Sequence, residues 1–422
     1  MNILLTNTCD AAMQKKLVFI LKAFPRISET FILQEIRQLE ASGCVPIIFS
    51  RAYPEDEPFI QTAALGIQSK VHYIPYALPK GQNSVRQLQK RLEGKYDLQL
   101  MRKTYHEAKE MGKKNPENHS RHCVYAAIWI LAQLNPIDSK EYHIHAQFLD
   151  YPAEIAYYIH LFSGIEFSIS CHAKDIYTSP KEDHIRFLGS AIALKTCTEF
   201  NVAYLKEETG MPEKIHKVYH GIDTVFFSRE TIKNKIRLVS VARLVEKKGY
   251  FVMIKALDML NKRYPNFQMT IIGHGMLDTE IREQIHFLHL EEKVIIIPYA
   301  TREVVRDYLL NSDIFVNASI ITKSGDRDGI PNSVAEAMSM ELPVVASDIS
   351  GIGEIVKHLD TGYLAQSRDA ASLYNGIVYF IENPSEREIV GKRARQYILD
   401  HFTKEKAFIA CEEFFRSLLE KD

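Results

Sequence analysis

Short runs of β-branched and other apolar residues alternate along this chain with longer segments whose apolar residues recur every three or four positions. The first run, Lys16–Ala23, predicts a buried strand. Ile32, Ile36 and Leu39 are spaced at i, i+4 and i+7, which predicts an amphipathic helix with Ser28 as its cap. The alternation predicts an α/β protein with parallel sheets that helices cover on both faces.

The predicted strands fall into two series. The first series comprises residues 16–23, 46–49, 142–148, 167–171, 192–197 and 215–219. The second comprises residues 237–241, 267–272, 294–297, 313–317 and 343–346. Because one hydrophobic core rarely serves more than about 300 residues, two domains are expected. The polar stretch 228–235 between the series predicts an N-terminal domain at 1–228 and a second domain at 229–395.

Residues 80–121 form a basic segment inside the first domain. The segment contains eleven Lys or Arg and five Asp or Glu, and no strand pattern interrupts it. Exposed inserted helices are therefore predicted. Such a face is either simply solvated or a surface that meets anionic lipid or an anionic acceptor.

Composition and charge exclude several classes of protein. Hydrophobic residues are 46% and charged residues 25% of the chain, which is typical of a globular protein. The net charge is −1, so a nucleic-acid partner is not expected. We see no secretory signal and no apolar run of the roughly 20 residues that span a bilayer. The six cysteines form no Cys-x-x-Cys pair, so a reduced, cytoplasmic protein is expected.

The sequence VARLVEKKG at 241–249 follows the first strand of the second series. Arg243 and Lys248 place two cationic side chains in the turn, and a helix is expected to open at Gly249. Cationic side chains beside the positive end of a helix favour an anion site. Taken alone, the turn could equally be a solvated basic loop.

The sequence GDRDGIPNSVAEAM at 325–338 follows the strand at 313–317. Pro331 and Asn332 suit a helix start, which puts Asp328 before the helix and Glu336 inside it. A carboxylate in a helix that packs on a parallel sheet is costly unless it is paired. A cis-diol such as ribose would suit Glu336, because a carboxylate only accepts hydrogen bonds and a diol offers two.

These two clusters resemble the donor domain of retaining GT-B glycosyltransferases of glycosyltransferase family 4. Three further segments strengthen the resemblance: HGID at 220–223 with two phenylalanines downstream, IIGHG at 271–275, and FPRISETF at 24–31. The last is similar to the opening of a subgroup that builds bacterial exopolysaccharides of the colanic-acid and amylovoran type. Any one motif is weak, but five in the right order are strong, and together they cover about residues 16 to 400.

The resemblance implies a GT-B fold of two Rossmann-like, doubly wound parallel-sheet domains facing a central cleft, with a C-terminal helix (396–422) crossing back to the first domain. It also implies transfer of a sugar from a nucleotide-diphosphate sugar with retention, without a metal or another cofactor. Arg243, Lys248 and the helix start would neutralise the diphosphate, Glu336 would hold the ribose, and Asp328 and His172 would hold the donor sugar. The remaining implied donor contacts are Gly273, Gly275, Pro298, Gly329, Ile330, Pro331, Asn332 and Ser333.

On the acceptor side, Arg26, Ser28 and Glu29 are candidate contacts at the start of the first helix. UDP is the first choice of nucleotide, from the frequency of donors in the family. A lipid-linked saccharide at the inner face of the membrane is the expected acceptor, with peripheral membrane contact through the basic segment. Here the sequence lacks the glycine-rich loop that many family members have.

Several alternatives stay open. Asp328 stands where the family has a glutamate, which leaves room for a non-catalytic nucleotide-sugar-binding subunit. An epimerase or a phosphorylase on the same fold is also conceivable, although no context suggests a pyridoxal-bearing lysine. Asp326 and Asp328 fit the D-x-D pattern of metal-dependent GT-A enzymes, which the surrounding motifs disfavour. His143 and His145, at i and i+2, resemble metal ligands, but packing at a sheet edge is the simpler account.

Overall fold

The computed structural model describes residues 15–26, 29–53, 66–75, 84–114, 119–136, 138–228 and 236–419. The chain divides into two compact units. The first unit contains Met1–Thr196, Tyr204–Val218 and Phe408–Asp422, and the second contains Cys197–Ala203 and Tyr219–Ala407.

A parallel sheet of seven strands forms the centre of the first unit, in the order β3-β2-β1-β4-β5-β6-β7. The strands are β1 Lys16–Ala23, β2 Ile47–Ala52, β3 Val71–Tyr73, β4 Tyr142–Gln147, β5 Phe167–Cys171, β6 Ala193–Thr196 and β7 Ile215–Lys217. The central strands are buried along most of their length, as expected for a parallel sheet with both faces covered.

The helices of the first unit cover this sheet. They are α1 Thr30–Ala41, α2 Val85–Arg91, α3 Leu98–Lys114, α4 Ser120–Leu134, α5 Tyr151–Ser163, α6 Lys174–Tyr177 and α7 Lys181–Ser190, with short 3₁₀ turns at Ser139–Glu141 and Pro212–Lys214. Helix α8, Glu199–Thr209, begins in the second unit and continues in the first from Tyr204. In its described part the predicted basic segment contributes α2 and α3, with a non-helical stretch at residues 92–97 between them. Helix α4 is buried along most of its length, which explains its continuous apolar sequence.

A second parallel sheet, of six strands, lies in the second unit in the order β10-β9-β8-β11-β12-β13. The strands are β8 Ile236–Val241, β9 Phe267–Ile272, β10 Val294–Ile297, β11 Ile314–Asn317, β12 Val344–Ser347 and β13 Tyr363–Ala365. The helices are α9 Tyr250–Arg263, α10 Asp278–Phe287, α11 Arg302–Leu310, α12 Asn332–Ser339, α13 Ile352–Ile355, α14 Ala370–Glu382 and α15 Pro384–His401, with a 3₁₀ turn at Glu246–Lys248. This order is that of a doubly wound dinucleotide-type sheet.

The eleven predicted strands are all confirmed to within a few residues at each end. The prediction missed β3 and β13, which have three residues each. Both lie at an edge of their sheet, where a strand needs little apolar sequence.

The chain passes to the second unit before the boundary predicted at residue 228. Ile222 and Phe227 are buried in the same core cluster as Val239 and Phe315 of the second unit. Helix α16, Lys404–Leu419, begins in the second unit and continues into the first, where Phe415 packs against β1 residues such as Phe19. Apolar contacts, rather than the polar stretch, therefore set the limits of the units.

His143 and His145 lie in the interior of the first sheet and not at its edge. His145 bonds the hydroxyls of Ser168 and Ser170 at 2.7 Å each, and His143 bonds Ser168 at 2.8 Å. Burial is the main cause that lowers the pKa of His143 to about 3. The two histidines are therefore neutral core residues that form hydrogen bonds with serine hydroxyls.

Five cysteines in the described part of the chain are buried, and none of them forms a disulfide bond. Within the same residues, every helix is too short or too polar to cross a membrane.

Candidate functional site

The sequence-predicted donor residues, apart from His172, lie at the carboxyl edge of the second sheet. The strand order reverses between β8 and β11, and ligands of doubly wound sheets bind at such a switch point. The loop after β8 carries Arg243 and Lys248, and the loop after β11 carries Asp328 and leads into α12. The two predicted clusters thus lie at neighbouring strand ends of one sheet.

Two glycines let the loops at this edge approach one another closely. Gly249 has φ +64°, and a Cβ built there would lie 1.9 Å from the carbonyl oxygen of Ala318. A Cβ at Gly273 would lie 1.9 Å from the carbonyl oxygen of Ala242. A side chain at either position would therefore push the neighbouring loop away. The structure assigns Gly273 a packing role that does not depend on a ligand.

Two lysines of the loop after β8 bind the carboxylates of the loop after β11. Lys248 Nζ donates to Asp328 Oδ2 at 2.7 Å, and Ser319 Oγ donates to the same oxygen at 2.6 Å. Lys247 Nζ donates to Asp326 Oδ1 at 3.0 Å and lies 3.6 Å from Asp328 Oδ1. A backbone bond of 2.7 Å from Ile320 N–H to the Lys247 carbonyl joins the same loops.

The electrostatics of this network favour an ionised Asp328. Burial would raise the pKa of Asp328, but Lys248, Lys247 and the Ser319 hydroxyl outweigh it and hold the pKa below its ordinary value. Burial lowers the pKa of Lys248; the charges of Lys247 and Arg243 act in the same direction, and Asp328 opposes them. Arg243 itself is exposed. Because Asp326 and Asp328 already face lysine ammonium groups, the D-x-D interpretation as a cation site finds no support.

Helix α12 begins beside this network. Pro331 precedes it in extended backbone, and Asn332 and Ser333 are its first residues. The first N–H groups of a helix have no partner inside it, and they carry the positive end of the helix dipole. Gly329 is buried and Ile330 is partly buried between Asp328 and this start. The positive end of the helix dipole would therefore stabilise an anion bound beside Lys248.

Glu336 is partly buried in the second turn of α12. Burial raises its pKa to about 7, and Arg302 acts against this rise. The Arg302 guanidinium lies 4.6 Å from the Phe226 ring centroid and 5.3 Å from that of Phe227, which fixes its position. A hydrogen-bond donor would therefore favour the ionised form of Glu336, and its contact with the ribose stays a prediction.

The outer part of the same edge carries aromatic and exposed residues. Pro298 and Tyr299 are exposed, and the Tyr299 ring centroid lies 5.0 Å from that of His274. A Cβ at Gly275 would lie 2.3 Å from the carbonyl oxygen of Leu244, so this glycine also serves loop packing. A direct donor contact from Gly275 or Pro298 stays a prediction.

The HGID motif has a structural role within the second unit. A Cβ at Gly221 would lie 2.4 Å from the Cα of Lys404. Ile222 exchanges backbone bonds with Phe402 and Lys404 at 2.8 and 3.0 Å. Asp223 lies 3.3 Å from Lys404 Nζ. The motif therefore fastens the start of the second unit to its last segment.

The candidate residues of the first unit lie at the carboxyl ends of β1 and β5. Arg26 Nη1 donates to Glu29 Oε1 at 3.0 Å, so each of these predicted acceptor contacts already has a partner in the other. Ser28 lies outside the described residues, and the helix that it was expected to cap begins at Thr30. His172 directly follows β5 and is partly buried.

The sequence interpretation missed Lys247, Ser319 and Arg302. The family motif singles out Lys248, so the resemblance gives no signal for the neighbouring Lys247. Ser319 lies two residues after β11, and a hydroxyl at a strand end of a doubly wound sheet was the available signal. No sequence pattern marks Arg302, since its role depends on the fold bringing α11 to Phe226.

Residues 222–397 match the family model for glycosyl transferases group 1. The amylovoran biosynthesis glycosyltransferase AmsK of Erwinia amylovora is 34% identical over 209 residues, which are 49% of this chain and 51% of AmsK. The putative colanic acid biosynthesis glycosyltransferase WcaL of Escherichia coli is 32% identical over 204 residues, which are 47% of this chain and 50% of WcaL. The chain thus spans about half the length of these curated relatives.

Solved structures with the same fold cover nearly the whole chain. A glycosyltransferase of Rickettsia africae has a TM-score of 0.70 at 16% identity and covers 97% of this chain and 100% of its own. The Anabaena protein HepE, solved in complex with UDP, has a TM-score of 0.69 at 15% identity and covers 95% and 100%. Each unit has the parallel-sheet architecture found in GT-B glycosyltransferases. Residues 222–397 therefore carry a glycosyltransferase group 1 domain.

Proposed function

We propose that this chain transfers a sugar from a nucleotide-diphosphate sugar, with UDP as the first nucleotide to test, to a saccharide or lipid-linked saccharide acceptor with retention of configuration. The observation that carries the proposal is the pairing of Lys247 and Lys248 with Asp326 and Asp328 at the switch point, directly before α12. The group 1 domain supports the reaction class. The similarity to AmsK and WcaL, which are named as amylovoran and colanic acid biosynthesis glycosyltransferases, supports a role in exopolysaccharide biosynthesis.

In this proposal the main catalytic term is stabilisation of charge on the leaving diphosphate. Arg243, Lys248 and the N–H groups at the start of α12 supply it. An ammonium has three donors, so Lys248 can bind a phosphate oxygen while it keeps Asp328. Loss of one such contact costs about 3 kcal/mol of barrier, on the order of a hundredfold in rate.

Glu336 would accept hydrogen bonds from the ribose hydroxyls, and Asp328 and His172 would contact the donor sugar. In the reaction, the bond from the anomeric carbon to the diphosphate breaks and a bond to the acceptor oxygen forms on the same face. The acceptor proton passes to the leaving phosphate oxygen. No metal or other cofactor is needed in this scheme.

Thermal shift against uridine, guanosine and adenosine diphosphates and their sugars tests the donor site. A ligand at a hundred times its Kd adds about 2.7 kcal/mol of stability, so a true donor raises the Tm clearly. Lys248→Ala should abolish the shift, whereas Lys262→Ala, at an exposed lysine of α9, should leave it unchanged. No shift with any nucleotide, or an unchanged shift in Lys248→Ala, contradicts the proposal.

A second candidate function is a nucleotide-sugar-binding subunit without turnover. It is favoured by one observation: Asp328 Oδ2 is shared by Lys248 and Ser319, which leaves it less capacity for a sugar hydroxyl. This candidate predicts a thermal shift with the donor but no release of nucleotide diphosphate when saccharide acceptors are added. Release without any acceptor would instead favour an epimerase-type or hydrolytic reaction.

We also propose that the basic helices bring the protein to an anionic membrane surface. Arg102, Lys103, Lys109 and Lys113 are exposed on α3, and Lys113 and Lys103 have glutamate partners at 2.7 and 4.0 Å on the same helix. Flotation with phosphatidylglycerol vesicles should recover the protein, and phosphatidylcholine vesicles should not. Recovery that is unchanged by Arg102→Glu with Lys109→Glu would contradict this surface.

A further inference from the structure

One buried carboxylate of the first unit joins the ends of two neighbouring strands. Asp175 lies in the short helix α6 after β5 and is 5% exposed. Its Oδ2 accepts the Leu149 N–H at 3.0 Å, and its Oδ1 accepts the His172 and Ala173 N–H groups at 3.1 and 3.0 Å. Leu149 follows β4, and His172 and Ala173 follow β5. The carboxylate therefore fixes the backbone of His172 to both strand ends.

The same corner contains a strained aromatic residue. Phe148, the first residue after β4, has φ +98°, a conformation that bulky side chains rarely adopt. Its N–H donates to the Ser170 carbonyl at 2.7 Å, and its ring centroid lies 5.2 Å from that of His172. Phe31 of α1 lies 4.6 Å from the same imidazole. Strain of this kind persists only where the surroundings enforce it, and it is concentrated at functional sites.

We propose that Asp175 is a positioning residue that sets the place of His172 for the reaction, by holding the loops after β4 and β5 around the imidazole. This inference rests on the proposed function, in which His172 contacts the donor sugar. Asp175 touches no substrate in this proposal. Asp175 holds the backbone of His172 in place, and Phe148 and Phe31 contact the imidazole ring of His172.

The chemistry of the three donors explains why a carboxylate is required. Leu149, His172 and Ala173 present N–H groups, and an ionised carboxylate offers acceptors only. An asparagine would place an amide N–H against one of these donors. Burial and the nearby charge of Asp150 raise the pKa of Asp175 to about 6, and the three N–H groups act against that rise. The three N–H groups therefore favour the ionised form of Asp175, and burial acts against it.

Imidazole NMR of the full chain tests the positioning without any substrate. The signal of His172 is assigned with His172→Gln and compared between the wild type and Asp175→Asn. We expect the His172 signal to shift or broaden while those of His143 and His145 stay in place. An unchanged His172 signal, or an equal change in all three, overturns the inference. Asp183→Asn, at the more exposed Asp183 of α7, is the matched control and should change none of them.

A double-mutant cycle tests the link to turnover with a nucleotide sugar that gives a thermal shift. Asp175→Asn should lower kcat about tenfold to a hundredfold, as expected for a displaced reacting group, and leave UDP affinity unchanged. In a His172→Ala background the same substitution should cost little more. Equal losses in both backgrounds overturn the inference. Absence of wild-type turnover contradicts the proposed function instead, and the NMR result then decides on the positioning alone.

Discussion

Replacing Asp328 with asparagine removes the charge that faces two buried lysines and keeps the shape of the side chain. Asp328 is 7% exposed and lies 2.7 Å from Lys248 and 3.6 Å from the Lys247 ammonium. Breaking a buried ion pair by removal of one partner typically costs about 3–5 kcal/mol. Because Lys247 keeps Asp326 as a partner, we expect the lower end, about 3 kcal/mol.

The loss should appear in the unfolding of the second unit. For a domain of this size, about 3 kcal/mol lowers the Tm by roughly 6–12 °C. The single tryptophan, Trp129, lies in the first unit, so calorimetry is preferable to tryptophan fluorescence. Asp326→Asn is the matched control. It removes a more exposed partner of Lys247, and we expect a loss of about 1 kcal/mol or less.

The pH dependence gives an independent check with a definite sign. The folded-state pKa of Asp328 is held below its ordinary value. Its contribution to stability is therefore fully present above the unfolded-state pKa of about 4 and is lost as the pH falls through the folded-state pKa. The stability difference between the wild type and Asp328→Asn should shrink below pH 4. A variant as stable as the wild type at pH 7, or a difference that grows at low pH, would refute this reasoning.

Three further predictions concern separate parts of the fold. Gly249→Ala should destabilise the second unit by about 3 kcal/mol or more in calorimetry, because the added Cβ would meet a carbonyl oxygen at 1.9 Å. Gly210→Ala is the control: no atom lies within 4 Å of a Cβ at this position, so the substitution should cost only about 1 kcal/mol. UDP should bind about tenfold more tightly at pH 8 than at pH 6 in calorimetric titration, since burial raises the pKa of Glu336 to about 7 and the ribose needs the ionised form. Glu336→Gln should remove this pH dependence, and a wild-type affinity that does not change with pH would contradict the ribose role. In the first unit, Lys195 of β6 forms an ion pair with the partly buried Glu35 of α1. Lys195→Met should lower the stability of this unit by about 3 kcal/mol in calorimetry because the Glu35 carboxylate loses this partner, and an unchanged Tm would contradict that.

The sequence predicted the sheets well because parallel strands buried on both faces need nearly continuous apolar runs. Strands such as β1 and Phe267–Ile272 follow this rule and were predicted with correct limits. The three-residue edge strands β3 and β13 were missed because backbone pairing with one neighbour places little demand on their side chains. The unit limits near residue 219 could not be predicted, since they depend on which core buries Phe227.

The sequence predicted several residues of the candidate site but not the hydrogen bonds and ion pairs between them. Lys248 and Asp328 were both identified, yet their direct bond was not, because it depends on how the loops after β8 and β11 fold. The partners Lys247 and Ser319 escaped notice for the same reason. The sequence also did not reveal that Gly273 serves loop packing, and its donor contact stays a prediction.

Hydrogen exchange with and without UDP tests most directly whether the second unit binds a diphosphate at its switch point. The account predicts that UDP slows exchange in peptides covering residues 242–249 and 318–336, and that Lys248→Ala removes this protection. Protection that appears only in other peptides of the second unit, or protection that survives the substitution, would contradict it.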